Sequence, residues 1–323
     1  MRAPKGGILL LFLLLVLILA FIASLREAGP RPRRAARHAT TGGGARTGGC
    51  YPAKLMQEAI AVVRRGRGYA PPSEEERRAY TTEAARLSAK YGTDFPARAL
   101  ESVRSQERAL RARGRVAAFR KNKGWASKLA AGRRQGLSVT ALAARHDLPP
   151  MFVLKALRGH KAEPSEEEGR AAALGDEGSA LHQHAVRAQA AGFEEVVGAA
   201  LARLGAPHET EAEARAAGRR FTPDFLLSEP TEICGRRVVW LDAKNYLYYG
   251  NRLTLPGLKK QVRKYTAEFG PGALVFAGGV ACGSPPLGAL VLGPDLGVPL
   301  VLGPDLGVPL VVLPALLAGA HEG

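Results

Sequence analysis

The chain has 323 residues, with 46 Lys and Arg against 29 Asp and Glu, and a formal net charge of +17 at pH 7. Hydrophobic residues make up 46% of it, enough to fill one or two cores, so wholesale disorder is excluded. Three scattered cysteines argue against a disulfide framework and a CxxC zinc site, and outside the first residues no apolar run is long enough for a polytopic membrane protein.

The charge is unevenly spread. Residues 24–160 carry 29 Lys and Arg against 10 Asp and Glu, whereas residues 161–323 carry 15 against 19. A basic half joined to a mildly acidic half predicts that one part gathers a polyanion while the other acts on it or binds something else. The plainer alternative is an arginine-rich composition spread over solvated helix faces.

In chain order, residues 8–23 (ILLLFLLLVLILAFIA) are unbroken apolar, with Arg2 and Lys5 before them and Arg26, Arg31, Arg33 and Arg34 after. The segment 1–25 therefore has the form of a secretory signal or a short signal anchor. Phe21 and Ile22 sit where a cleavage site wants small residues, which favours an anchor that is kept. The alternative is a start that adds residues the mature protein lacks. Residues 26–50, rich in Gly, Arg and Pro, predict a flexible basic linker.

Residues 51–160 predict a basic helical domain. Thr81 or Thr82 is positioned to cap a helix through Ala84, Leu87 and Tyr91 that Gly92 ends, and Pro96 opens the next helix, with Ala99, Leu100 and Val103 inward. Ser138 caps a further helix carrying Leu142, Ala143 and His146. A turn over Asp147–Pro150 leads to another with Met151, Val153, Leu154 and Leu157, a helix-turn-helix pattern. Between these lies a basic run that includes Arg111, Arg113, Arg115, Lys121 and Lys123. Phosphates suit such a run, because each one neutralised releases condensed counterions; a plain protein-interaction bundle is the alternative.

Residues 161–189 predict a linker with some helix. From 190 to 313 the order is helix, strand, strand, helix, strand. GFEEVVGAALARL (192–204) predicts a helix with Glu194 and Glu195 in its first turn. FTPDFLL (221–227) and VVWLDAK (238–244) predict two strands joined by a turn at Cys234 and Gly235. A helix with Leu258, Val262, Tyr265 and Phe269 on one stripe ends at Gly270-Pro271-Gly272, and ALVFA (273–277) predicts a buried strand. Asp242 and Lys244 are two apart on one strand and so share a face, while Ala243 points away. Asp224, on the preceding strand, comes beside Asp242 if the two pair as a hairpin. Two carboxylates in an apolar sheet repel unless a cation neutralises them, and Mg²⁺ takes oxygen ligands of this kind. Farther on, LVLGPDLGVP occurs twice, at 290–299 and 300–309; one copy is expected to supply a terminal strand with Val311, Val312 and Leu313.

A Pro-Asp followed some 18 residues later by Asp-x-Lys is the PD-(D/E)XK nuclease pattern. Thr222-Pro223-Asp224-Phe225, the strand WLDAK, the helix bearing Gln261 and Tyr265, and FGPG at 269–272 resemble the TPD-motif family of PD-(D/E)XK nucleases, which includes a codanin-interacting nuclease. The resemblance covers roughly residues 75–280. It implies an α+β protein, a helical region with helix-turn-helix-like segments followed by a restriction-endonuclease-like α-β-β-α-β core. It further implies a metal-dependent DNA nuclease, structure-selective, nuclear, with a codanin-like partner. Carried over, Asp224 and Asp242 bind Mg²⁺ or Mn²⁺, with Glu194 or Glu195 completing the site. Lys244 is then the catalytic lysine, and Gln261 and Tyr265 touch substrate. Asp242 stands where a family member has Glu; the pattern admits both, and the shorter arm shifts the metal by about one methylene. The N-terminal apolar segment and the duplicated decapeptide have no counterpart in the resemblance. The competing readings are a non-catalytic binding module on an inactive nuclease scaffold and a membrane-anchored adaptor.

Overall fold

Residues 50–159 and 163–293 are described by the structure, a computed structural model. The apolar run 8–23, the linker before Cys50, the second decapeptide copy and Val311–Leu313 lie outside them. Among the described residues no helix is long and apolar enough to cross a membrane.

Helix α1 (Ala53–Arg64) is followed by α2 (Glu74–Tyr91) and α3 (Ala97–Arg120). The start of α2 differs from the expectation of a Thr81 or Thr82 cap. Ser73 accepts from the Glu76 amide at 3.1 Å while the Glu76 carboxylate accepts from the Ser73 amide at 3.0 Å. This reciprocal box satisfies two orphan amides at once. Thr81 and Thr82 sit inside the helix and donate back to the carbonyls of Arg77 and Arg78. Gly92, left-handed at φ 60°, ends the helix as expected, and Pro96 occupies the cap of α3, one place before its first turn. The three helices bury Leu55, Leu87, Leu100 and Val103 in one core, into which Leu247 and Ala281 of the C-terminal half also insert. Helical and sheet regions therefore share a core.

Helices α4 (Trp125–Arg134), α5 (Val139–His146), α6 (Pro150–Arg158) and α7 (Glu166–Leu174) enclose Leu129, Leu142, Leu148, Val153 and Leu157. Ser138 caps α5, accepting from the Ala141 amide at 3.1 Å, and Asp147 ends it at φ 51°, so α5 and α6 form the expected helix-turn-helix pair. Most of the segment 161–189 is also helical. Helix α8 runs unbroken from Ala180 to Arg203, so Glu194 and Glu195 lie in its middle, not its first turn. No Pro interrupts residues 180–203, and Gly192 alone is too weak a breaker to start the helix there.

The remaining elements are β1 (His208–Thr210), α9 (Glu211–Ala216), β2 (Phe225–Ile233), β3 (Arg236–Lys244), α10 (Leu255–Phe269), β4 (Gly272–Phe276) and β5 (Leu290–Leu292). They form one mixed sheet in the order β1-β2-β3-β4-β5, antiparallel between the first three strands and parallel between the last three. Strand β5 comes from the first decapeptide copy. The β2–β3 hairpin turns on Cys234 and Gly235, both at positive φ, which a tight two-residue turn requires. From Trp240 onward central β3 alternates: Leu241 and Ala243 join Phe193, Val197 and Leu201 of α8, while Trp240 joins Leu258 and Val262 of α10. The protein is thus α+β, with a helical N-terminal region.

Trp240 is fully buried and its indole donates to the Gly270 carbonyl at 3.0 Å. A Cβ at Gly272 would lie 2.0 Å from its ring. Gly272→Ala should therefore destabilise the fold by at least about 1–3 kcal/mol, read as a lower urea midpoint at unchanged slope.

The cysteines depart from expectation. Cys50 and Cys282 form a disulfide across a sequence separation of 232. Counting three cysteines could not foresee it, because the pairing follows from tertiary contact. Tyr51 bridges to Ala281, its amide donating to Val280 and its carbonyl accepting from Cys282, both at 2.8 Å. Cross-linking so long a loop restricts the unfolded chain, so reduction or Cys50→Ser should cost about 2–4 kcal/mol. At about 2–4 °C per kcal/mol, the melting temperature should fall by roughly 4–16 °C in dithiothreitol, and Cys50→Ser should show the same loss without reductant.

Candidate active site

The C-terminal end of β3 brings together the carboxylates and the lysine singled out in the sequence. Asp242 is 2% exposed, and the hydrogen bond it accepts from Gln261 places it on the α10 side of the sheet, where Trp240 also lies. Asp224 is not on a strand: it immediately precedes β2, whose register pairs Phe225 with Leu241. Extending that register by one step places Asp224 across from Asp242. The Asp224 carboxylate accepts from the Ala243 amide at 2.6 Å, which pins it against β3. Pro223 before it donates no ladder bond and lets the chain bend into the strand.

Lys244 forms an ion pair with Asp242 Oδ2. That oxygen is buried, with the Lys244 ammonium as its counter-charge. Its other oxygen, Oδ1, accepts from Gln261 on α10 at 3.3 Å, and Gln261 also donates to the Tyr265 hydroxyl at 3.4 Å. Tyr265 in turn donates to the Thr222 carbonyl at 3.2 Å, tying α10 to the segment that presents Asp224.

The electrostatics follow from burial. Desolvation, then the charge of Asp242, pushes the Asp224 carboxyl up to about 7. Burial alone would depress the Lys244 ammonium, but Asp242 and Asp224 outweigh it and hold it above its usual range. Lys244 is therefore held as a cation at neutral pH by the two carboxylates beside it. Desolvation also raises Glu194, followed by the negative charges of Glu211 and Asp242. Glu194 is half-buried and feels the site, whereas Glu195 is exposed.

Nothing in the motif pattern singles out Glu211. It opens α9, its amide donates to the Asp224 carbonyl at 3.1 Å, and its carboxylate accepts from Arg215 at 2.6 Å. The Thr210-x-x-Glu213 capping box is the available signal, since it starts a helix that brings Glu211 to the Asp224 backbone.

Of the basic residues expected to touch substrate, Arg111 and Arg115 on α3 both pair with Asp147, at 2.6 and 2.9 Å. Arg113, Lys121 and Lys123 are exposed. None of the five is bonded to the carboxylate pair.

Residues 164–282 match the family model described as a protein of unknown function with a TPD sequence motif. This stretch is a TPD sequence-motif domain. It contains Glu194, Glu211, Asp224, Asp242, Lys244, Gln261 and Tyr265. An uncharacterized protein of Acanthamoeba polyphaga mimivirus is 41% identical over 81 residues, covering 24% of this chain and 30% of the viral protein. The match thus spans less than a third of that protein's length. No solved structure matches.

The residues fit a hard divalent cation. Two carboxylates meet: Asp242 lies buried against the Lys244 ammonium, and Asp224 is pushed toward its protonated form. Mg²⁺ commonly takes only one or two carboxylates and fills its shell with water and phosphate oxygens. Among the described residues no group of three or more His, Cys, Asp or Glu side chains comes together as a ligand set, so Glu194 would act at longer range.

Proposed function

We propose that the protein is a Mg²⁺- or Mn²⁺-dependent nuclease that hydrolyses phosphodiester bonds in DNA. The observation that carries this reading is the meeting of Asp224 and Asp242, with the Lys244 ammonium against Asp242, at the end of one central strand. Asp224 and Asp242 would hold the cation, which would supply charge to the scissile phosphate and a more acidic bound water. Lys244 would donate to a non-bridging phosphate oxygen and offset charge gathering there. Gln261 holds the Asp242 carboxylate in orientation, and the Ala243 amide does the same for Asp224. In the reaction, the water oxygen bonds to phosphorus and gives up a proton to solvent, the bond to the leaving oxygen breaks, and that oxygen takes up a proton from solvent.

The test is cleavage of labelled single-stranded, flapped and four-way DNA by the full chain with Mn²⁺ or Mg²⁺. Cutting that disappears in EDTA and in Asp224→Asn supports the reading; cutting that survives Asp224→Asn removes it. The second reading, a non-catalytic binding module on this scaffold, draws on the lack of a three-donor ligand set among the described residues. It expects neither cutting nor Asp224-dependent stabilisation by Mn²⁺.

Nuclear residence and a codanin-like partner rest on the resemblance alone. The Cys50–Cys282 disulfide favours an oxidising compartment instead. A tagged full chain found in the nucleus with both thiols free would decide for the resemblance.

A further inference from the structure

Away from the carboxylate site, a cavity of about 1010 Å³ lies between the end of α1, the middle of α3 and the loop after β3. Its lining includes Arg64, Arg65 and Arg67 from the first segment, Arg108, Arg111 and Arg115 from the second, and Arg252 from the third. Glu107 is its only acidic lining residue. Seven guanidiniums line it against one carboxylate; Glu76 and Asp147, outside the lining, pair with Arg108, Arg111 and Arg115, which still leaves cations in excess, and in a concave wall their fields add.

Several of these arginines are held in place. Arg64 pairs with Glu107 at 2.7 Å. Arg111 donates to Asp147 at 2.6 Å and to the Gly66 carbonyl at 3.3 Å. Arg115 shares the same Asp147 at 2.9 Å. Each guanidinium has five N–H donors, so these bonds fix its plane and leave donors over. Arg67 and Arg252 are exposed and form no ion pair among the described residues. Between the arginines lie Ile60, Val63, Leu110 and Tyr249. That mixture of cations with apolar and aromatic residues suits a strand whose phosphates meet guanidinium while its bases lie on side chains.

The groove is also coupled to the carboxylate site. The loop that lines it with Tyr249, Asn251 and Arg252 leaves β3 directly after Lys244. That loop is fastened to α3, Ser102 accepting from the Leu247 amide at 2.8 Å and Gln106 donating to the Leu247 carbonyl at 2.9 Å. Arg111 lies nine residues beyond Ser102 on the same helix, about 13–14 Å along its axis.

We propose that this arginine groove is the binding site for the sugar–phosphate backbone of a single nucleic-acid strand, with Arg67 and Arg252 as its free phosphate contacts. The proposal rests on the nucleic-acid half of the proposed function and not on the chemistry at Asp242.

It is tested with the full chain in EDTA, where no cutting is needed, by fluorescence anisotropy of a labelled 20-residue oligothymidylate over a salt series. The slope of log affinity against log salt should shrink by about 1.4 in Arg67→Gln/Arg252→Gln, about 0.7 for each phosphate left without its guanidinium. Arg187→Gln/Arg203→Gln, which removes the same charge from exposed positions on α8, should keep the wild-type slope. Equal slopes in wild type and the groove variant would overturn the proposal, as would tighter binding of a blunt 20-base-pair duplex than of the single strand. An equal drop in the α8 variant would reduce the effect to net charge and overturn it too. If the groove variant binds DNA poorly yet keeps Asp224-dependent stabilisation by Mn²⁺, the loss is one of DNA binding and not of fold, which supports the proposal. If the slopes behave as expected but no DNA is cut, the groove stands and the nuclease reading fails.

Discussion

Lys244→Met should lower metal-dependent DNA cutting by about 10²–10³-fold, the usual loss when one donor to a charge-developing oxygen is removed. Methionine keeps an unbranched apolar stem of similar reach, so the lost quantity is the charge and its hydrogen bonds. The same substitution has a structural cost, because Asp242 is 2% exposed and Lys244 is its ion-pair partner. Leaving a buried carboxylate alone costs about 3–5 kcal/mol, less whatever protonation recovers. Asp242→Asn leaves the Lys244 ammonium without its partner instead. The double variant removes both charges and should be more stable than the sum of the single losses allows. Urea unfolding of the four proteins in EDTA measures this cycle; strictly additive losses would mean that the two side chains do not interact. Wild-type cutting by Lys244→Met would sink the catalytic role.

Much of this arrangement is legible in the residue order, and the illegible parts have physical reasons. The alternation along VVWLDAK places Asp242 and Lys244 on one face because strand periodicity is local, and β3 shows Ala243 on the other. Gly92 and Ser138 mark helix ends because a left-handed residue and a hydroxyl cap are needed at the chain positions themselves. The helix start at Ser73 is harder to read, because threonines a few residues on offer a competing cap. Ser73 and Glu76 together satisfy two amides, which outcompetes a threonine that can bond back to its own helix. What sequence does not carry is proximity created by distant pairing. The Cys50–Cys282 bond depends on Tyr51 adding as a bridge beside Ala281. The arginine groove draws on three segments, around 64–67, 108–115 and 252, and only the middle one stands out as a charge run. The approach of Glu211 to Asp224 likewise depends on α9 folding back beside the start of β2.

The second large effect links pH to the cation. Asp224 ionises near 4 in an unfolded chain and at about 7 in the fold, because burial and the charge of Asp242 disfavour its carboxylate. Below about 4 it is protonated in both states and contributes nothing. Between about 4 and 7 the unfolded chain gives up this proton while the folded chain keeps it, so in EDTA the folded state loses stability on account of Asp224 as pH rises. Three units would amount to an upper bound of about 4 kcal/mol, and partial solvent contact screens it below that. Other groups slope the opposite way: burial, then Arg145 and Lys128, lowers His146, and its lowered value makes the fold gain stability as pH rises. The contribution of Asp224 is therefore the difference between wild type and Asp224→Asn, followed as melting temperature from pH 4 to pH 8. A bound cation reverses the penalty, since it favours the carboxylate. The gain in melting temperature from Mn²⁺ should rise from pH 5 to about pH 7, level off above it, and vanish in Asp224→Asn. A gain of equal size at pH 5 and pH 8, or one that survives Asp224→Asn, would place the cation away from this carboxylate, and Lys244 would then be neutralising a buried charge with no part in binding a metal.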